Sequence, residues 1–321
     1  MNSTVSASVA DTHLAPKEGR FEQFWQVLRE NSLAIAGLAI FMVFFCVALL
    51  GLVLTSGPEP VFDPALVRLQ EKLRPPFSSP HIGSLQPEEI PTLGIYLLGT
   101  DDLGRDVFAR MLQGAWVSLT VGFVAVGISV LIGVFMGSMA GYFGQYRIID
   151  TLIMRIVDIM LCFPSFFLIL TVVALLPASI YNIMIVIGLT SWMGTARFVR
   201  AEFLSLREQD FVIAATALGV GHFRIIFRHM LPNAVAPVLV SATIGIATAI
   251  LTEAGLSFLG FGVPPPHATW GNVLSDGKAF IFDAPWLTFI PGFTILIVVL
   301  SFNLFGEGLR DALNPKLRGR R

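Results

Sequence analysis

The chain has 321 residues, of which 55% are hydrophobic and only 13% charged, and its mean hydropathy is +0.75. Soluble domains carry roughly 25% charged residues, so this composition excludes an ordinary water-soluble enzyme and makes the lipid bilayer the main solvent. A net charge of −1 leaves no basic field for nucleic acid. The two cysteines, Cys46 and Cys162, lie inside apolar runs and read as plain thiols rather than a disulfide framework.

In chain order, residues 1–31 are a polar tail that ends on Arg29 and Glu30. The stretch 32–55 carries no charge. A signal peptide has a shorter apolar core of about 7–15 residues, whereas about 20 residues of helix cross a bilayer, so 32–55 is expected to be an uncleaved first span. Residues 56–115 read as a long outer loop holding eight acidic residues. A five-helix core is expected over 116–305, its first helix centred on the apolar run from Val117 to Ala140. The uncharged stretch between Asp158 and Arg197 is too long for one crossing and divides at Pro177-Ala178-Ser179 into two spans. A fifth span is expected from about Ala234 to Gly260, a sixth from about Trp286 to Phe305, and a polar tail over 306–321. Backbone groups in hydrocarbon must pair within their own segment, so the spans are helices. The expected fold is an all-α integral membrane protein with about six transmembrane helices.

Lysine and arginine set the orientation. With the N-terminus inside, the inner segments 1–31, 144–155, 197–232 and 306–321 carry three, two, five and five of them. The outer segments 56–115, 177–181 and 261–285 carry five, none and one. Both termini are therefore expected in the cytoplasm. Gly133, Gly137 and Gly141 recur every fourth residue on the second span. They clear one face for a closely approaching helix, either within the chain or on another subunit.

The inner loop 197–232 is the most informative segment. Ser205-Leu206-Arg207-Glu208 has capping-box spacing and predicts a helix start. Gly219 and Gly221 are suited to ending that helix, and a second short helix is expected to stop at Pro232. Two short helices at an angle would face the cytoplasm, where a soluble partner can grip them. Ala214, Ala215, Gly219, Leu231 and Pro232 fall at the spacing of Glu-Ala-Ala, three residues, Gly, nine residues, Ile, one residue, Leu-Pro. The loop thus resembles the coupling loop of ABC importer permeases, with Ile213 in place of the family's glutamate and His229 in place of its isoleucine. Arg228-His229-Met230-Leu231-Pro232-Asn233 is similar to the form typical of the dipeptide, oligopeptide and nickel branch. Leu98-Gly99-Thr100-Asp101-Asp102-Leu103-Gly104-Arg105-Asp106 and the segment Glu253 to Gly262 resemble two further motifs of that branch.

That resemblance implies a type I importer permease fold and the role of the second, C-type permease subunit. It also implies as partners a second and different permease, two cytoplasmic ATPase subunits and an extracytoplasmic binding protein, in the bacterial inner membrane. Dipeptides or oligopeptides lead as cargo, with nickel chelates, glutathione or opines as alternatives. Asp210, Phe211, Ala214, Ala215, Gly219, Gly221, Leu231 and Pro232 would form the ATPase-coupling loop. No cofactor is expected on this chain, because ATP and magnesium would sit on the partner subunits. Gly271 to Ala279 is the nearest approach to a phosphate-binding loop, but its first glycine is one residue too far away and Ala279 replaces the metal-binding hydroxyl.

No catalytic or metal-binding constellation is visible. Glu253 and Asp158 are candidates for the pathway or its gate, because charge at membrane depth costs roughly 2.5–3.5 kcal/mol. The other reading is structural, with Asp158 pairing to Arg155 at i−3. Asp101, Asp102, Arg105 and Asp106 are candidates for docking the binding protein, against the alternative of a capped turn leading into the second span. An ion-coupled secondary transporter, the rival from another class, would call for paired broken helices in two halves of the sequence, and no internal repeat is present.

Overall fold

The computed structural model describes residues 20–81, 83, 85–145 and 147–313, with side chains described from Trp25 onward except at 145 and 147. Among these residues every long element is a helix. An amphipathic helix α1 (Arg20–Glu30) precedes the first span α2 (Ser32–Thr55), which Asn31 caps through its side chain. The second span α3 (Val107–Tyr142) has 36 residues, about 54 Å at 1.5 Å per residue. After it come α4 (Arg147–Leu161), α5 (Ser165–Leu175), α6 (Ile180–Arg207) and the short α7 (Asp210–Ala217). A single turn α8 (His222–Arg224) runs through a π-helical turn (Ile225–Met230) into α9 (Leu231–Phe258). The short α10 (Trp270–Gly277) and α11 (Trp286–Leu313) complete the chain.

Among the described residues five helices are long and apolar enough to cross a membrane, and α4 with α5, bent by 82° at their break, makes a sixth where the pair is counted as one span. The bend lies at Pro164, which precedes α5 and lacks the N–H that would continue α4. The chain turns between the third and fourth spans at Leu176–Ser179, where Ser179 caps α6.

Several boundaries differ from expectation, for one shared reason. Charge marks where hydrocarbon ends, not where a helix ends. The outer loop 56–115 stops short at Asp106, because α3 starts at Val107 and carries Arg110 inside the helix, neutralised by aspartates. The inner loop 197–232 begins as the cytoplasmic end of α6, and the tail 306–321 begins as the end of α11. Ser205 closes a helix rather than opening one: its carbonyl accepts from the Glu208 N–H at 3.3 Å.

Gly133, Gly137 and Gly141 of α3 all face α6 within the same chain. A Cβ on Gly137 would sit 2.5 Å from the Ala196 carbonyl oxygen and 2.8 Å from Val199 Cβ. The main apolar core joins α3, α5, α6, α9, α10 and α11, with Ala48 of α2 at its edge. At one end α1 packs on the end of α11, with Leu28, Ala34 and Ala312 buried together. At the opposite end the outer loop meets α10. There Asp101 is fully buried and accepts from Arg105 Nε at 2.7 Å and Arg110 Nη1 at 2.5 Å. Asp276 of α10 takes the same two guanidinium groups at 3.1 and 2.9 Å. Within the outer loop, residues 68–77 run antiparallel to 96–103, joined by Arg68 N–H to the Leu103 carbonyl and Leu73 N–H to the Asp101 carbonyl.

Candidate functional site

Two features stand out: a segment at the inner end and a cavity inside the bundle. The inner segment is α7 with the turn that follows it. Gly219 is left-handed at φ +73°. Its N–H bonds to the Thr216 carbonyl, and the Val220 N–H reaches back to the Ala215 carbonyl at 3.1 Å. These are the paired bonds of a Schellman stop, which glycine accepts without steric cost. A Cβ at Gly219 would meet nothing within 4 Å, so this corner is open on its outer side. Gly221 does not share the role; at φ −61° it is the N-cap of the next helix.

The second arm also differs from expectation. It does not stop at Pro232. The π-helical turn Ile225–Met230 passes straight into α9, and Pro232 sits in that helix's first turn, where its missing donor is tolerated. The wider turn keeps Ile225, Ile226 and Met230 all buried, in a cluster with Val212, Ala215 and Phe203. Tyr142 at the end of α3 pins the arm by a 2.8 Å hydrogen bond to His222 Nδ1.

The opposite face of the segment is apolar and open. Leu218 is 83% and Phe223 67% exposed, with Ile213 and Phe227 beside them in sequence and also exposed. Phe223 and Phe227 stack in parallel planes. Asp210, Phe211 and Ala214 are exposed, Ala215 is buried, and Leu231 is half-buried at the root of α9. Sequence reasoning missed Leu218, Phe223 and Phe227, although the i, i+4 spacing of the two phenylalanines was there to be read.

The cavity, of about 220 Å³, lies between α3, α6 and α9. Its wall carries the hydroxyls of Ser129, Ser191, Thr195, Ser241, Thr248 and Thr252, and none of its lining residues is ionisable. Ser241, Gly245, Thr248 and Thr252 share one face of α9, a stripe of helical spacing that sequence reasoning also passed over.

The remaining candidates fall elsewhere. Glu253 does not face the cavity or an outer mouth. It is fully buried within the chain, where the Ser257 hydroxyl donates to its Oε1 at 2.7 Å and Thr269 of the α10 cap lies beside it. Asp158 is paired with Arg197 of α6 at 2.5 Å rather than with Arg155, and it too lies away from the cavity. On the outer side Asp101 and Arg105 are consumed by the ionic network, and Asp106 caps α3 by accepting from the Phe108 N–H at 2.8 Å. Burial pushes the Asp106 carboxyl above its ordinary value, with the Phe108 N–H pulling the other way. Asp102 is left partly open to solvent; partial burial raises its carboxyl, and the negative charges of Asp101 and Asp276 add to this. The geometry of this group is that of a capped turn.

Comparison with known proteins agrees with this arrangement. Residues 103–319 match the family described as binding-protein-dependent transport system inner membrane component, and residues 19–76 match the N-terminal TM domain of oligopeptide transport permease C. The dipeptide transport system permease protein DppC of Alkalihalophilus pseudofirmus is 43% identical over 96% of this chain and 92% of its own length. The oligopeptide transport system permease protein OppC of Bacillus subtilis is 38% identical over 90% of this chain and 88% of its own. The di/tripeptide transport system permease protein DppC of Pseudomonas aeruginosa is 38% identical over 99% of both. A solved structure of the inward-facing MetNI methionine ABC transporter aligns with a TM-score of 0.50 at 17% identity, over 65% of this chain and 98% of that one, a likeness of fold. By sequence, the chain belongs to the family of binding-protein-dependent transport system inner membrane components, and is a multi-pass membrane permease of an ABC importer.

Proposed function

We propose that this permease moves dipeptides or oligopeptides inward, as one half of a pathway completed by a second, different permease. Two cytoplasmic ATPase subunits drive it and an extracytoplasmic binding protein delivers the cargo. The observation that carries the coupling is the inner segment: a rigid corner at Gly219 with buried roots and an open apolar face. An exposed patch of that kind marks a protein contact, and Ile213 makes the contact apolar where the family's glutamate would be polar. Peptides are favoured because the relatives named above are peptide permeases. The cavity suits such cargo, since its lining holds no ionisable residue and so does not select side chains by charge.

The test is the complete complex in proteoliposomes. Uptake of a radiolabelled dipeptide should require ATP on the ATPase side and the binding protein on the other. Gly219→Asp should insert and assemble, yet lower uptake at least tenfold while ATP hydrolysis continues. Wild-type uptake and substrate-stimulated hydrolysis in that variant would remove the coupling role. Uptake of a nickel chelate, glutathione or an opine in place of peptides would redirect the cargo.

A further inference from the structure

Helix α1 and the last turns of α11 build one pole of the bundle, the pole that the lysine and arginine count places inside. In α1 the large apolar residues Phe21, Phe24, Trp25 and Leu28 recur at i, i+3, i+4 and i+7, with charged and amide residues between them. Leu28 is buried with Ala34 and Ala312, and Trp25 packs beside them, so α1 is held against the end of α11. The start of α2 is pressed on the same turns: a Cβ on Gly308 would come within 2.0 Å of Ala34 Cβ. Arg29 is exposed, with its guanidinium carbon 5.3 Å from the centre of the Trp25 ring. Helix α2, which follows α1, is the least buried of the five long helices, and its Leu33, Val43, Leu50 and Val53 are all exposed. An amphipathic helix bearing tryptophan and arginine at the root of such a span has the make-up of one that lies in the headgroup layer.

Charge decides which headgroups. Helix α1 and residues 306–313 carry three cations, Arg20, Arg29 and Arg310, against four acids, Glu22, Glu30, Glu307 and Asp311. The chain continues from Leu313 as Asn314-Pro315-Lys316-Leu317-Arg318-Gly319-Arg320-Arg321, four cations in eight residues and no acid. Eight residues reach at most about 28 Å, so these charges belong to the same pole. A basic cluster directly after a span attracts anionic lipid. Three of the four are arginines, whose planar fork takes two oxygens of one phosphate. The coupling segment is rooted elsewhere, in the cluster of Phe203, Val212 and Met230. The bilayer surface, rather than an ATPase, is therefore the partner that suits this pole.

We propose that the inner pole is a binding surface for anionic phospholipid, with α1 lying in the headgroup layer and Lys316, Arg318, Arg320 and Arg321 taking lipid phosphates. The complete complex in vesicles tests this. In a chain with Cys46 and Cys162 replaced by alanine, Leu317→Cys carries a bimane fluorophore, and a trace of lipid bears a nitroxide quencher on its headgroup. Vesicles of phosphatidylcholine alone are compared with an equal mixture of phosphatidylcholine and phosphatidylglycerol. Quenching should be at least threefold stronger in the mixture, and high salt should bring it down toward the value in phosphatidylcholine. The fourfold variant Lys316→Gln, Arg318→Gln, Arg320→Gln, Arg321→Gln should assemble with the ATPases yet lose the difference between the two compositions. Equal quenching in both, or a difference that survives the glutamine variant, overturns the proposal. Shielding of the label that needs the ATPase subunits and ignores the lipid would assign the basic stretch to a protein contact, and overturns it too. A second label, on Gln26→Cys at an exposed position of α1, should be quenched by the headgroup nitroxide in both compositions. A label there that only a water-soluble quencher reaches would overturn the placement of α1.

Discussion

Glu253 shows how a residue can be conspicuous in sequence for one reason and matter for another. A carboxyl group deep in an apolar helix suggests contact with a charged cargo. In the fold it meets the Ser257 hydroxyl of its own helix, one turn further on. The small residues Gly271 and Ala254 let α10 press close beside it: a Cβ on Gly271 would come within 2.7 Å of Ala254 Cα. Its Oε1 thus accepts from Ser257, while Oε2, buried in the same seam, has no hydrogen-bond partner among the described residues. Glu253→Gln keeps an acceptor oxygen for Ser257 and should transport at close to the wild-type rate. Glu253→Ala removes the acceptor and leaves the serine hydroxyl unpaired, a loss of about 1–3 kcal/mol. It should lower the thermal unfolding midpoint of the solubilised complex, and equal damage from both variants would mean that the negative charge itself is needed. Asp158 was legible as a paired residue but not as Arg197's partner, because the two lie 39 positions apart, on opposite sides of the turn at 176–179.

At the level of elements, the spans were legible because lipid leaves a helix little choice. The exact helix ends were not, since α3, α6 and α11 run on as helix beyond their apolar runs. The break at Pro164 was also hidden: the proline sits inside an uncharged stretch, and the count of charges passes over it. In sequence the second arm of the inner segment ends at Pro232, whereas the fold carries it on into α9, because a π-helical turn leaves no mark in hydrophobic spacing. The glycine stripe was legible as a close contact, and the fold assigns it to α6. Gly137→Leu should therefore fail locally, since its Cβ starts 2.5 Å from a carbonyl oxygen. Overpacking of this kind costs typically 1–3 kcal/mol, and folded protein recovered in detergent should fall several-fold. Gly127→Leu on the same helix is the control, because a Cβ there meets nothing within 4 Å and recovery should match wild type.

On the scale of the whole molecule, α1 and the end of α11 gather at one pole, while the outer loop and α10 gather at the other. With Cys46 and Cys162 replaced, Glu88→Cys and Glu208→Cys, both at exposed positions, should label with an impermeant thiol reagent from opposite sides of the membrane. Labelling of both from outside would reverse the orientation drawn from lysine and arginine. The antiparallel pairing of 68–77 with 96–103 has a consequence for how the molecule can be built. The two family matches stop at residue 76 and resume at 103. Across that gap the outer loop is stitched by the main-chain pairs of 68–77 with 96–103. Within the bilayer Gly37 of α2 nests against the backbone of Ser301 and Phe305, and Gly51 against Leu112. The covalent link between Leu85 and Gln86 is then dispensable to the assembled shape. Coexpressed as fragments 1–85 and 86–321, the two pieces should find each other in the membrane, so that an affinity tag on the larger draws out the smaller in equal amount and peptide uptake survives the missing bond.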